Sequence, residues 1–128
     1  MKPRSSEPVL VSGVDLIEVE RIREVIARHG DQFLGRVFTE TELRECSGRA
    51  ESLAARFAAK EAVAKALGTG IGDLGWHDIE VRGNELKAPR LFLHGIGQTL
   101  ADDLGVRNWS LSLSHTHEHA VAFVVGLG

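Results

Sequence analysis

Only one cysteine, Cys46, occurs in the 128 residues; an internal disulfide and every zinc site built from several thiolates are therefore excluded. No apolar run approaches the length of a membrane-spanning helix. Nor does the polar start, MKPRSSEP, contain the apolar segment of a secretion signal. The reading is a disordered tail over 1–8, a single domain over 9–128 and a cytoplasmic location. A basic block is missing as well: 15 Lys and Arg against 18 Asp and Glu give a formal net charge of −3. Generic nucleic-acid binding is not expected, and any anionic partner must meet a local patch. No Gly-Lys-Ser/Thr follows the glycines after Leu67, which removes the nucleotide-binding P-loop.

What remains, 43% hydrophobic and 26% charged residues, is the composition of an ordinary globular domain. Its most informative stretch is Leu53 to Gly70, LAARFAAKEAVAKALGTG. Seven alanines between Leu53 and Leu67 favour a helix, and Gly68 is placed to end it. At 100° per residue Leu53, Phe57, Ala64 and Leu67 share a core stripe from which Lys60 also projects, while Glu61 and Lys65 lie together on another face beside small neighbours. On spacing alone those two charges read as an exposed ion pair worth a few tenths of a kcal/mol.

Upstream, Val9 to Asp15 is apolar and β-branched, as in a buried strand, and places Asp15 at the strand end, where it either caps the next helix or does chemistry. Glu18 to His29 is an amphipathic helix with Val19, Ile22, Val25 and Ile26 inward and Gly30 as its stop. Arg21 and Arg28 share its flank, as a solvated face or as a basic strip for an acidic partner. Thr39 and Glu42 have capping-box spacing and predict a short helix through Cys46.

Downstream, Gly68, Gly70, Gly72 and Gly75 form a loop whose backbone a ligand could approach. Trp76–Val81 and Arg90–His94 read as strands joined by a polar turn over Arg82–Ala88, and Gly95–Leu104 as a helix ended by Gly105. Trp109, Leu111 and Leu113 alternate with serines, whereas Ala120–Val125 is apolar throughout and predicts a strand buried on both faces. Between them, His115, His117 and His119 would face one way on an extended chain, as in some zinc sites, unless a turn near His117 and Glu118 intervenes.

Four segments in order, GVDLIEVERI (13–22), VFTETEL (37–43), RFAAKEAVAKALGTGI (56–71) and SLSHTHEHAVAFV (112–124), carry a resemblance. The chain resembles the holo-acyl-carrier-protein synthase family of small 4′-phosphopantetheinyl transferases over Val9 to Leu127. The resemblance implies an α+β fold, one 4′-phosphopantetheinyl transferase-like domain with an antiparallel sheet and a long central helix. It also implies transfer of 4′-phosphopantetheine from coenzyme A to a serine of apo-acyl carrier protein, dependent on Mg²⁺ and serving fatty acid biosynthesis.

By the same resemblance Asp15 and Glu61 are the metal ligands and Lys65 a phosphate-binding catalytic residue. Arg56, His115 and the loop of Gly68, Thr69 and Gly70 contact coenzyme A, with Arg56 directed at its 3′-phosphate. Arg21 and Arg28 become the docking strip for the acidic carrier protein, and a homotrimer with sites at subunit interfaces is implied. His119 departs from the family pattern, where a tyrosine is usual. Two other readings stand beside this one: a zinc hydrolase built on His115, His117 and His119, and a non-catalytic module that binds coenzyme A or a carrier protein.

Overall fold

The computed structural model describes residues 8–72, 74–83 and 88–128. Its elements are β1 (Leu10–Glu18), α1 (Val19–His29), α2 (Asp31–Val37), α3 (Glu40–Cys46), α4 (Ala50–Ala66), a 3₁₀ turn (Trp76–Asp78), β2 (Ile79–Arg82), β3 (Arg90–Leu93), α5 (Gly95–Leu104), β4 (Asn108–His115) and β5 (His119–Leu127). The fold is α+β, with a three-stranded antiparallel sheet ordered β1-β5-β4 and a separate β2-β3 hairpin. Residues 1–7 of the expected tail and 84–87 of the expected turn lie outside the described residues.

Local chemistry sets most of the boundaries. Gly30, Gly68 and Gly105, at φ +50°, +78° and +81°, end α1, α4 and α5 as their spacing predicts. Thr39 and Glu42 form a reciprocal capping box: Thr39 Oγ1 accepts from Glu42 N at 3.2 Å, and Glu42 Oε1 from Thr39 N at 2.9 Å. The helix α2 was not expected, because Gly35 interrupts its short pattern and Gly30 gives it no side-chain cap. Packing holds it instead, with the Phe33 ring 6.0 Å from that of Phe38 and 6.3 Å from that of Phe57.

Helix α4 occupies the centre. It packs on β1 and β5 on one side and on α1, α3 and β2 on others, so eleven of its seventeen residues are buried. The expected amphipathic stripe is thus replaced by a helix enclosed nearly all round, which its alanines permit because small side chains let neighbouring backbones approach. Two strand readings also change. The first strand runs three residues past Asp15, which therefore sits inside β1 and caps nothing; the cap residue of α1 is Glu18. Trp76–Asp78 forms a 3₁₀ turn before β2, because the Asp78 carboxylate accepts from Gly75 N at 3.0 Å and curls the chain.

The sheet is buried on one face only. Val11, Gly13, Asp15 and Ile17 of β1 and Ala120, Ala122 and Val124 of β5 turn towards α4. The opposite face exposes Leu10, Val14, Leu16, Phe123 and Leu127, Leu16 at 66% and Phe123 at 48%. Register sets Leu10 opposite Leu127 and Val14 opposite Phe123, which makes one continuous apolar patch. Ala120–Val125 is therefore not buried on both faces within one chain: none of the described residues covers the outer one. No helix among the described residues is long and apolar enough to cross a membrane.

Candidate active site

The site is built where β1 crosses α4. A Cβ on Gly13 would stand 1.9 Å from the Ala62 carbonyl oxygen, so strand and helix meet at a distance only glycine allows. Two residues on, on the same face of β1, Asp15 comes to the flank of α4 that carries Glu61 and, one turn later, Lys65. Lys65 Nζ donates to Asp15 Oδ1 at 2.9 Å and to the Val14 carbonyl oxygen at 3.0 Å. The lysine thus reaches across to the strand and does not pair along the helix with Glu61, as spacing alone suggested.

Glu61 is left with no side-chain hydrogen bond or ion pair among the described residues. Burial pushes its carboxyl above the usual carboxylate range, the Asp15 charge adds to the rise, and Lys65 opposes it. Two carboxylates and one ammonium therefore share a small volume with negative charge in excess. Such a donor set suits a hard cation.

At the end of α4, Gly68 N donates to Lys65 O and Thr69 N to Ala64 O, both at 3.0 Å, which holds the start of the glycine loop against the helix. A side chain at Gly68, Gly70 or Gly72 would meet nothing within 4 Å. The loop borders open space one turn beyond Lys65.

Arg56 is placed differently from the sequence-based picture of an open phosphate ligand. It is buried, donates to Glu42 O at 3.4 Å and to Gly83 O, and pairs with Glu45 Oε1 at 3.2 Å. Its guanidinium ties α3 to the end of β2. Arg21 and Arg28 are exposed on α1, with Arg23 between them engaged by Glu51 at 2.8 Å.

The three histidines do not converge. His115 ends β4, His119 opens β5 on the opposite sheet face, and a turn anchored by Thr116 lies between them. His117 leans away, with Nδ1 3.4 Å from Glu51 Oε1. Among the described residues no group of three or more His, Cys, Asp or Glu could hold a metal ion, and the zinc reading is corrected on that ground. Burial raises the Cys46 thiol to about 11, which leaves it inert.

Sequence reasoning missed the polar network beneath the site. Lys60 and Glu42, both fully buried, pair at 2.8 Å. Lys60 Nζ also donates to the Trp76 and Ile79 carbonyls, and Glu42 Oε2 accepts from Val81 N at 2.9 Å. The signal was present: a lysine on the core stripe of a helix requires a buried acceptor. Beside it, Glu80 accepts from Thr39 Oγ1 at 2.6 Å and from Arg82, with His94 Nε2 at 3.1 Å.

The sequence profile of the 4′-phosphopantetheinyl transferase superfamily matches residues 12–124. A holo-[acyl-carrier-protein] synthase of Herpetosiphon aurantiacus is 50% identical over 127 residues, covering 94% of this chain and all of that protein. One of Koribacter versatilis is 47% identical over 121 residues, with 91% and 97% covered. Among solved structures, the Helicobacter pylori holo-[acyl-carrier-protein] synthase in complex with coenzyme A superposes with a TM-score of 0.81 at 33% identity, covering 90% of this chain and 98% of that one. A Bacillus anthracis holo-(acyl-carrier-protein) synthase, in complex with CoA (3′,5′-ADP), gives 0.76 at 36% identity, with 95% and 99% covered.

Proposed function

Because the chain belongs to the 4′-phosphopantetheinyl transferase superfamily, among its holo-[acyl-carrier-protein] synthases, we propose that it moves 4′-phosphopantetheine from coenzyme A to a serine of apo-acyl carrier protein. Adenosine 3′,5′-bisphosphate is the other product, and fatty acid biosynthesis is the process served. The observation that carries this reading within the chain is the meeting of Asp15, Glu61 and Lys65 across the β1–α4 contact.

Asp15 and Glu61 fit Mg²⁺: they are hard oxygen donors, and Glu61 has no competing side-chain partner among the described residues. When bound, Mg²⁺ would offset the charge on the pyrophosphate and on the departing phosphate. Lys65 supplies the positive charge that orients and stabilises the phosphoryl group, as positioning and electrostatics dominate such transfers.

Gly68, Thr69 and Gly70 offer backbone to the nucleotide along an open edge, and His115 at the end of β4 serves the same ligand. Arg56 acts here as an anchor for the wall beside the nucleotide, since both of its terminal nitrogens are engaged within the protein. Exposed Arg21 and Arg28 form the strip on which an acidic carrier protein docks, which also counters the net negative charge of the enzyme. The outer face of the sheet, left uncovered by the described residues, supports assembly as a homotrimer with sites at subunit boundaries.

Incubation with coenzyme A, Mg²⁺ and apo-acyl carrier protein tests the reading. Mass spectrometry should show the carrier gaining one phosphopantetheine. Full retention of the apo mass, with a carrier that another transferase does modify, would refute it.

A further inference from the structure

Lys65 is held in an unexpected place. Its ammonium rests on two acceptors from β1, the Asp15 carboxylate at 2.9 Å and the Val14 carbonyl at 3.0 Å. The Asp15 side chain is 19% exposed and that of Lys65 55%. The carboxylate is thus held in the strand–helix crossing, while the lysine stem is free to swing outward. An ion pair this open is weak, as an exchangeable contact must be.

On the assignment above of Asp15 and Glu61 as the cation site, we propose that Lys65 is a tethered counter-cation: it occupies Asp15 until a divalent ion arrives and leaves only when a phosphate offers its ammonium another anion. The charges support the exchange. Asp15, Glu61 and Lys65 sum to one negative charge; a divalent ion added to them makes one positive, and two cations then compete for the same carboxylate oxygen. A pyrophosphate brings the missing negative charge and gives Lys65 a new partner within reach of the loop one turn further on. The divalent ion and the pyrophosphate ligand therefore bind cooperatively, each strengthening the other by the same factor. A free divalent ion alone binds poorly, which keeps the site from filling before its substrate is present.

The test is Mn²⁺ binding followed by the electron paramagnetic resonance of the free ion, on the wild type and on Lys65→Met and Glu61→Gln, each with and without coenzyme A. Lys65→Met should bind Mn²⁺ alone about tenfold tighter, the scale of one removed like charge at a partly solvated site. Coenzyme A should tighten Mn²⁺ strongly in the wild type and little in Lys65→Met. Lys65→Gln, which keeps a polar side chain, should behave as Lys65→Met does, and circular dichroism checks that both are folded.

If Lys65→Met binds Mn²⁺ no tighter than the wild type while Glu61→Gln loses it, the exchange is refuted and the cation site stands. An equal effect of coenzyme A on wild type and Lys65→Met refutes the exchange as well. If Glu61→Gln binds Mn²⁺ like the wild type, the cation site itself is wrong, and this proposal falls with it.

Discussion

Gly13 lies so close to Ala62 that a Cβ atom built on it would stand 1.9 Å from the Ala62 carbonyl oxygen and 3.1 Å from Ala66 N. Both obstacles are backbone and cannot rotate away. Gly13→Ala should therefore destabilise the fold by about 1–3 kcal/mol, read from denaturant titration, since overpacked contacts cost that much. Because Asp15 is two residues away on the same strand face, transferase activity should fall more than stability alone explains. A variant with unchanged midpoint and rate would show that the crossing tolerates separation.

Glu61→Gln should separate function from stability. A carboxyl raised by burial and by Asp15 is harder to ionise in the fold than in the unfolded chain, so it destabilises the protein at pH values above its raised pKa and has no such effect below the ordinary 4.5. The glutamine variant should thus melt roughly 1–3 °C higher near neutral pH and lose that advantage in acid, while transfer to the carrier protein falls at least a hundredfold, as when a group stabilising charge is removed. A melting point below that of the wild type at neutral pH would contradict the sign.

The Lys60–Glu42 pair is a different kind of charge. Both members are fully buried and hydrogen-bonded to backbone as well as to each other, so removing one leaves the other uncompensated. Lys60→Met should cost about 3–5 kcal/mol. Adding Glu42→Gln should recover part of that loss, and a double-mutant cycle on unfolding midpoints measures the coupling.

Glu80 governs acid stability. Burial alone would raise its carboxyl, but the hydrogen bonds from Thr39, His94 and Arg82 outweigh that and bring it down from 4.5 to about 2. A depressed acid stabilises the fold above its unfolded value and loses that contribution as pH falls towards the folded one. Glu80→Gln should therefore cost up to about 3 kcal/mol at neutral pH, and the gap to the wild type should narrow between pH 4.5 and about 2. Urea midpoints across that range check it; a gap independent of pH would assign the effect to packing.

Phe123 faces outward at the middle of the sheet, opposite Val14 on β1 and Ser112 on β4. If the homotrimer proposed above assembles through this face, Phe123→Asp should leave the chain folded but shift its mass in light scattering to that of a monomer, because a carboxylate at the centre of an apolar contact would be buried unpaired. A mass unchanged by the substitution would count against this face as the proposed subunit contact.

Much of this protein was legible along the chain. Glycines at 30, 68 and 105 end three helices, Thr39 and Glu42 start a fourth, and the serine alternation from Trp109 marks β4. These are local effects, set by a residue's own backbone freedom or by a neighbour three or four positions away. The short α2 escaped because its stability comes from rings contributed by Phe38 and Phe57, not from its own caps.

Residue order alone determined which groups are available for chemistry: an acid at 15, an acid and a lysine one helical turn apart at 61 and 65, and a glycine run after them. Tertiary structure decided how they are used. Spacing along a helix favours Glu61 as the partner of Lys65, yet the lysine bonds to Asp15, 50 positions away in the chain. Three histidines with even spacing look convergent until a turn sends His115 and His119 to opposite faces of the sheet. The physical reason is the same in both cases. A side chain pairs with whatever acceptor the packed backbone brings within about 3 Å, and that depends on the Gly13–Ala62 crossing and the β4–β5 register, which arise only when distant segments pack together.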